Sequence, residues 1–268
     1  MELKRLIIRN FGEIKELDFV PEDAFNYVSE TVANAISYVL NNQFAIRHYN
    51  KVDLRADTYL YGEIHRYQKG KKIVYGVEIN GFDNPIFTKD GIRLTDDEVD
   101  SDQALTRPYR EDNTCIFAPN SKTKFLDYEN FLPVYFRKLS GYADVCKELI
   151  ENRYVNCNIF KRLFVKIEFG KVLVYRDFGY AFKVYDILTE SDRYTAIYTV
   201  FLLFVEMIDY YNQFITGKGT ERTPIVVEGL LSHVDQISIG YLLERTMGCG
   251  RQTFFVEKNP KVFKNFMK

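Results

Sequence analysis

The carboxylate best placed for chemistry lies in the last third of the chain. Glu228 directly follows Pro224–Val227, an apolar run that predicts a short buried strand of a parallel sheet. Open α/β sheets bind ligands beyond the carboxyl ends of such strands, which makes Glu228 a candidate site residue. A structural hydrogen bond or a shifted pKa is the alternative role, and both are favoured over a metal site. Asp235 follows in the same segment, where it suits a helix N-cap.

Hydroxyl groups mark the starts of two further helices. Ser29 precedes apolar residues at the i, i+3, i+4 spacing of a one-faced helix that extends to Leu40. We therefore expect Ser29 to be its N-cap. Thr189 and Asp192 form a variant capping box that opens a long helix running to about Gln213. This second helix is apolar almost all round and is expected to be central.

Length, charge and cysteine usage limit the function classes. The chain has 268 residues, 36 Lys plus Arg against 37 Asp plus Glu, and a net charge of −1, which gives no overall attraction to nucleic acid. We expect one domain over 1–268. The 4 cysteines include no C-x-x-C, so we expect no metal site and reduced thiols in a cytoplasmic protein. The most apolar run, Tyr194–Val205, is too short for a membrane span, which takes about 20 residues.

The remaining elements are strands that position these groups. Leu3, Leu6 and Ile8 alternate with charged residues and predict a half-buried strand, which a turn at Asn10–Gly12 connects to a second strand. Thr58–His65 and Ile73–Ile79 predict a hairpin. The stretch 81–142 is poorly patterned and is a candidate insertion with loops and short strands. Helices are expected at Ala143–Arg153, Ile239–Thr246 and Lys261–Met267, further strands at Ile159–Phe169, Lys171–Arg176 and Thr253–Val256, and surface positions for His48 and His65.

Several stretches in this order resemble the ABC-type ATPase heads of the RecF/SMC class. They are L-K-R-L-I-I-R-N-F-G-E-I-K-E-L-D-F for the first two strands, A-N-A-I-S-Y-V-L for the helix after the P-loop, L-T-E-S-D-R for the signature motif, P-I-V-V-E-G-L-L-S-H-V-D for the Walker B strand and D-loop, and T-F-F-V-E-K-N-P for the next strand. The resemblance implies an α/β fold of the P-loop NTPase type: a mixed sheet with an antiparallel N-terminal β subdomain. The family's coiled coil is absent, and 81–142 stands in its place.

The P-loop position departs most from the family pattern. A P-loop needs glycines whose backbone amides cradle phosphates, a lysine, and a Ser/Thr hydroxyl that holds magnesium. The stretch Phe25–Leu40 contains neither glycine nor lysine, and its joint is about seven residues shorter than the G-x-x-x-x-G-K-[ST] template. Ser29 or Thr31 stands near the position of the magnesium-binding hydroxyl.

The other motifs are altered as well. The resemblance implies that Glu228 stands where the family has its magnesium-binding Asp. It likewise places Gly229 where the family has its catalytic Glu, so no carboxylate remains at that position to activate water. Ser191 replaces the signature glycine that approaches the opposite subunit's γ-phosphate, and no histidine is found near the switch position. The D-loop, Ser232 to Asp235, is close to intact, so Asp235 is either an N-cap or a relic of a subunit contact.

Three functions remain open at this point. The first is a non-hydrolysing pseudo-ATPase without cofactor, a scaffold or accessory module in DNA repair and maintenance or in mobile-element biology. The second is an ATP- and Mg-binding ATPase completed by a partner subunit. The third is an unrelated α/β interaction domain. We expect a protein partner or a homodimer. If the chain is a pseudo-ATPase, we expect it to have no catalytic residue.

A basic cluster on the predicted hairpin raises a weaker expectation of DNA contact. Arg66, Lys69, Lys71 and Lys72 lie close together around its turn. A solvated hairpin tip is the ordinary explanation of such a run. Backbone contacts to DNA would be independent of sequence and sensitive to salt.

Overall fold

The computed structural model describes residues 1–45, 53–68, 70–102, 115–117, 155–160, 163–168, 171–177, 182–184, 189–210, 222 and 224–257. The chain divides into two compact units, each discontinuous in sequence. One comprises Met1–Cys115, Glu221–Val226 and Arg251–Lys258, and the other comprises Ile116–Thr220, Val227–Gly250 and Asn259–Lys268. The expectation of a single domain with an insertion at 81–142 stays a prediction.

A six-stranded antiparallel sheet dominates the first unit, in the order β2-β1-β4-β5-β6-β7. Helix α1 contacts its strands β1, β4 and β5. The elements of this part of the chain are β1 (Glu2–Phe11), β2 (Ile14–Phe19), β3 (Phe25–Val28), α1 (Glu30–Ala45), β4 (Tyr59–Gln68), β5 (Lys71–Asn80), β6 (Ile86–Lys89), β7 (Ile92–Arg93) and α2 (Asp96–Ser101). This sheet is the antiparallel N-terminal subdomain that the sequence predicted.

Alternation along the strands explains which sheet face is buried. Leu6 and Ile8 of β1 are fully buried, and because they lie two positions apart their side chains share one face of the sheet. They pair with Gly62 and Leu60 of β4. Tyr59, Tyr61 and Glu63 of β4 are half-exposed on the opposite face. The hydrophobic face of α1, including Ile36 and Val39, is likewise buried.

A second, four-stranded sheet has the order β3-β14-β13-β8, with β13 (Ile225–Glu228), β14 (Thr253–Val256) and β8 (Cys115–Phe117). Strands β3 and β14 run parallel, with Phe25 opposite Thr253. Gln252 ties this sheet to β1: its Oε1 accepts from the Leu3 amide at 2.8 Å and its Nε2 donates to the Leu3 carbonyl at 2.9 Å. The mixed α/β architecture is therefore as predicted.

The second unit contains a four-stranded antiparallel sheet and two helices. Its sheet has the order β12-β11-β10-β9, formed by β9 (Val155–Phe160), β10 (Leu163–Glu168), β11 (Lys171–Asp177) and β12 (Phe182–Val184). The helices are α3 (Glu190–Tyr210) and α4 (Gln236–Gly248). They meet where the Tyr198 hydroxyl lies 2.9 Å from Thr246 Oγ1, and burial raises the pKa of the Tyr198 phenol.

Individual expectations had mixed outcomes. The hairpin of β4 and β5 is confirmed, and α1 extends past Leu40 to Ala45. The expected surface position of His65 is wrong, because its side chain lies in the sheet with 8 % of the residue exposed. The helices expected at Ala143–Arg153 and Lys261–Met267, and His48, lie outside the described residues. Within the described part of the chain, no helix is long and apolar enough to cross a membrane.

Candidate functional site

A single residue joins β3 to α1. The strand ends at Val28 and the helix begins at Glu30, so Ser29 is the whole connection. The Ser29 hydroxyl accepts from the Val32 amide at 3.3 Å, and its carbonyl accepts from the Ala33 amide at 2.9 Å. Ser29 is thus the N-cap that the sequence predicted. A joint of one residue is shorter than the G-x-x-x-x-G-K-[ST] loop, whose consecutive backbone amides surround a polyphosphate.

The hydroxyl of Thr31 is already engaged by the protein. Thr31 is buried, and its Oγ1 donates to Glu13 Oε1 at 2.5 Å. Glu13 follows Gly12, whose φ of +55° places the turn between β1 and β2 in the left-handed region. A Cβ atom at Gly12 would lie 2.7 Å from Thr31 Cγ2, so the turn packs closely on the first turn of α1.

Further hydrogen bonds hold this turn in place. The Gly12 amide donates to the Asp53 carbonyl at 2.9 Å, and Arg55 Nη2 donates to the Gly12 carbonyl at 2.9 Å. Asn34 on α1 donates to the Asp53 carboxylate at 2.9 Å. The start of α1 therefore has two carboxylates of the chain's own, Glu13 and Asp53, as neighbours. Neither was singled out from the sequence, because their contacts depend on how a turn folds against a helix.

Strand β13 ends on the candidate carboxylate. Glu228 is its last residue and is half-buried. Gly229 follows with φ of +64°, and among the described residues no atom lies within 4 Å of the position that a Cβ would take. The residue after Glu228 therefore has no side chain with which to supply a second carboxylate.

Ser191 and Asp235 connect the starts of α3 and α4. Ser191 Oγ donates to Asp235 Oδ2 at 2.7 Å and accepts from the Asp235 amide at 2.9 Å. The other carboxylate oxygen, Oδ1, accepts from the Ser238 amide at 2.9 Å, which confirms Asp235 as the N-cap of α4. Thr189 and Asp192 form the predicted reciprocal box, with Asp192 N to Thr189 Oγ1 at 3.1 Å.

An aromatic contact reinforces this junction. His233 Nδ1 lies 3.0 Å from Glu190 Oε1. The same imidazole stacks on Tyr194, with ring centroids 4.3 Å apart and planes 6° from parallel. Residues of the first turns of α3 therefore hold the segment before α4 in three ways: two hydrogen bonds between Ser191 and Asp235, the contact between Glu190 and His233, and the ring stack of Tyr194 on His233.

The structure groups the predicted positions into two sets. Ser29 and Thr31 share the first turn of α1, and Ser191 and Asp235 are in direct contact. Among the described residues, no group of three or more His, Cys, Asp or Glu side chains is arranged to hold a metal ion. The assignment of Ser29, Thr31, Ser191, Glu228 and Asp235 to the remnant of a nucleotide site stays a prediction.

The basic cluster is smaller than expected. Lys71 and Lys72 are exposed at the start of β5, but Arg66 is only 5 % exposed. Arg66 belongs to the paired part of β4, opposite Ile73, so the expectation that it lies on an exposed hairpin tip is wrong. Lys69 lies outside the described residues.

The fold is similar to that of solved ATPase heads. Over 98 % of this chain and 92 % of the other, it matches the SMC head domain from Thermotoga maritima with a TM-score of 0.57 and 12 % identity. It matches an SMC head bound to the C-terminal winged-helix domain of ScpA over 99 % and 92 %, with a TM-score of 0.56 and 11 % identity. The recombination mediator protein RecF, as RecF-ATPrS in the RecFOR pathway, matches over 97 % and 93 %, with a TM-score of 0.52 and 11 % identity.

These similarities define the fold class: the chain has the fold of an ATPase head. More particularly, it is a head fold of the SMC and RecF type, as the sequence motifs indicated. At this level of identity the likeness concerns the fold alone. No protein-family model matches the sequence, and no curated protein matches it.

Proposed function

We propose that this chain is a non-hydrolysing pseudo-ATPase of the RecF/SMC type that serves as a scaffold or accessory module in DNA repair, DNA maintenance or mobile-element biology. The observation that carries the proposal is the joint between β3 and α1, where Ser29 alone takes the place of a phosphate-binding loop. Catalysis of phosphoryl transfer depends on positioning and electrostatic stabilisation of the phosphates, and both require that loop.

Two further observations support the loss of hydrolysis. Gly229 follows Glu228 at the strand end, where the resemblance places the catalytic Glu, so the residue at that position has no carboxylate. The Ser191 hydroxyl, which the resemblance places at the signature glycine, forms two hydrogen bonds with Asp235 of the same chain. These changes affect three separate motifs, and loss of a single one would be easier to attribute to ordinary variation.

A nucleotide-binding measurement tests this proposal. Titration of the protein with a fluorescent ATP analogue in the presence of Mg²⁺ is expected to give no saturable binding, and an assay of phosphate release no turnover. Glu228→Ala is the informative variant, and Glu244→Ala, an exposed acid on α4, is its matched control. Binding that Glu228→Ala abolishes and Glu244→Ala leaves intact would favour the alternative, an ATP- and Mg-binding ATPase completed by a partner subunit.

The proposed partner is a protein. SMC heads of this fold have been solved with domains of ScpA bound, including one derived from Pyrococcus furiosus, which supports a role in assembly with a protein partner or a second copy of the chain. We place the protein in the cytoplasm, away from membranes. The third function, an unrelated α/β domain, loses its support because the antiparallel subdomain is present.

DNA contact is a secondary part of the proposal. Lys71 and Lys72 are both exposed where β5 begins, and together they offer two positive charges to a phosphate backbone. The acidic residues of the chain keep the net charge at −1, so any such binding is local and weak.

A further inference from the structure

An aromatic side chain is exposed near the end of β4. Tyr67 is the last residue but one of this strand and is 53 % exposed. In the antiparallel ladder it lies directly opposite Lys72 of β5, so the two side chains share one face of the sheet. Lys72 and its neighbour Lys71 are both exposed. An accessible aromatic ring therefore lies close to two positive charges.

This end of the β4–β5 ladder extends beyond the strands on either side of it. The pairing of β4 with β1 ends at His65, and the pairing of β5 with β6 ends at Tyr75. Within the part of the chain that the structure describes, no third strand pairs with Tyr67 or Lys72. The exposure of both side chains follows from this position at the rim of the sheet.

The charges around Tyr67 differ from those in the middle of the same sheet face. There, Tyr61 and Glu63 of β4 alternate onto this face, and Glu78 of β5 lies opposite Tyr61. A phosphate group beside Tyr61 would meet two carboxylates. The ladder pairs on either side of Tyr67 and Lys72 contain no carboxylate. The rim of this face therefore suits a phosphate better than its centre does.

An aromatic ring beside lysines suits single-stranded nucleic acid. Each unpaired base offers a flat π surface that stacks on an aromatic side chain whatever the sequence, and ammonium groups attract the phosphates. In a duplex the faces of the bases are covered by neighbouring base pairs, and only the base edges are accessible in the grooves. Lysines serve both forms of nucleic acid alike, whereas an exposed tyrosine distinguishes between them.

We infer that this end of the β4–β5 hairpin binds single-stranded nucleic acid, with Tyr67 as the stacking surface and Lys71 and Lys72 as the phosphate contacts. The inference rests on the DNA contact of the proposed function and deepens it, because it names the form of nucleic acid that the surface binds. It also adds Tyr67, which lies among the basic residues of the hairpin but carries no charge. The ligand chemistry is an unpaired base on a phosphodiester backbone, which both DNA and RNA provide.

Fluorescence anisotropy with labelled oligonucleotides tests this inference. The probes are an oligothymidylate and an oligouridylate of about 20 nucleotides, and a DNA duplex of the same length, all at one low ionic strength. The unaltered protein is expected to bind the single strands about tenfold more tightly than the duplex. A preference for either single strand over the duplex supports the inference, and the tighter of the two identifies DNA or RNA as the ligand.

Tyr67→Ala is the informative variant. It should weaken binding of the single strands about tenfold and leave duplex binding unchanged, because only the stacking surface is lost. Tyr67→Phe keeps the ring and should bind as the unaltered protein does. Phe82→Ala is the matched control, since it removes an aromatic side chain that is 71 % exposed outside this hairpin, and it should change neither affinity. Both positions are exposed, so melting temperatures should stay close to that of the unaltered protein.

Several results would contradict the inference. They are equal affinity for single strands and duplex, full affinity in Tyr67→Ala, an equal loss in Phe82→Ala, and a lack of binding to all three probes. Failure of the pseudo-ATPase proposal looks different. Saturable Mg-ATP binding that depends on Glu228 would contradict that proposal, and it would leave a single-strand preference that depends on Tyr67 in place.

Discussion

Ser191 and Asp235 hold each other through two hydrogen bonds, although 44 positions separate them in the chain. The Ser191 hydroxyl donates to the Asp235 carboxylate and accepts from the Asp235 backbone amide. It therefore acts as both donor and acceptor within this one pair of residues. Asp235 also caps α4, and Ser191 lies in the first turn of α3. One pair of side chains thus fixes the starts of two helices.

This relationship predicts non-additive stability effects. Ser191→Ala is expected to lower the free energy of unfolding by about 1 kcal/mol, and Asp235→Ala by about 1–2 kcal/mol because the α4 cap is lost as well. The double variant should lose less than the sum of the two, since each single change already removes the shared bonds. Urea denaturation measures all three values.

Ser232→Ala is the control for that cycle. Ser232 is exposed in the same segment, and its hydroxyl donates to the Gly229 carbonyl at 3.4 Å, the one hydrogen bond of this side chain among the described residues. Its replacement should change the free energy of unfolding by no more than about 0.5 kcal/mol. Strict additivity of Ser191→Ala and Asp235→Ala would show that the pair does not act as a unit.

Gly12→Ala is expected to destabilise the first unit strongly. The residue has positive φ, and the new Cβ would meet Thr31 Cγ2 at 2.7 Å, so both backbone strain and a steric clash oppose the change. We expect a loss of about 3 kcal/mol. Gly91→Ala is matched in backbone conformation, with φ of +82° and no neighbour within 4 Å, and should cost about 1 kcal/mol.

Thermal and urea denaturation of the two glycine variants give the comparison. If Gly12→Ala and Gly91→Ala lower the free energy of unfolding by the same amount, the close approach of the turn to α1 contributes nothing to the cost of Gly12→Ala.

The capping box of α2 predicts a pH effect. The backbone amide of Thr95 donates to the Glu98 carboxylate at 2.8 Å and, together with the Thr95 hydroxyl, holds the pKa of Glu98 below its ordinary value of 4.5. A group with a lowered folded-state pKa stabilises the fold above its ordinary pKa, and this contribution is lost as the pH falls through the folded-state pKa. Thr95→Ala should therefore destabilise the protein at neutral pH and matter less in acid.

An NMR titration of the Glu98 carboxyl measures this directly. Its pKa should rise toward the ordinary value in Thr95→Ala and stay low in Thr95→Ser, which keeps the hydroxyl. An unchanged Glu98 pKa in Thr95→Ala would assign the whole shift to the backbone amide.

DNA binding, if present, should depend on Lys71 and Lys72. Removing both by substitution with Ala is expected to weaken binding to any duplex sequence alike and to lower the slope of log K against log salt by about 2. Lys15→Ala with Arg93→Ala removes two exposed charges elsewhere on the sheet and serves as the control. A salt-independent signal, or equal losses in both double variants, would exclude this surface as the binding site.

Much of the fold follows from local patterns that the sequence displays. Alternation in β1 and β4, the hydroxyl cap at Ser29, the box at Thr189 and the cap at Asp235 all appear as predicted, because each depends on neighbours within four positions. The Thr95 box has the T-x-x-E signature of a capping box, but the six-residue α2 is too short to show the apolar periodicity by which a helix is predicted from sequence.

The remaining features depend on contacts between distant segments. The bond between Ser191 and Asp235 joins two motifs that were chosen separately, and the sequence gives no reason to expect them in contact. The hydrogen bond between Thr31 and Glu13 forms because the turn before β2 folds against α1. The expectation for Arg66 failed for the opposite reason. Its charge belongs to a basic run in the sequence, but in the folded sheet the residue is only 5 % exposed.

The hydrogen bonds between Gln252 and Leu3 join positions 249 residues apart. A ribosome adds about 5–20 residues per second, so a newly made Leu3 waits on the order of 10–50 s for its partner to be synthesised. During that interval β1 lacks the amide group that satisfies its backbone. Completion of the first unit therefore waits until Gln252 has been synthesised, and a chain stopped before residue 252 would be a natural substrate for chaperones or proteases.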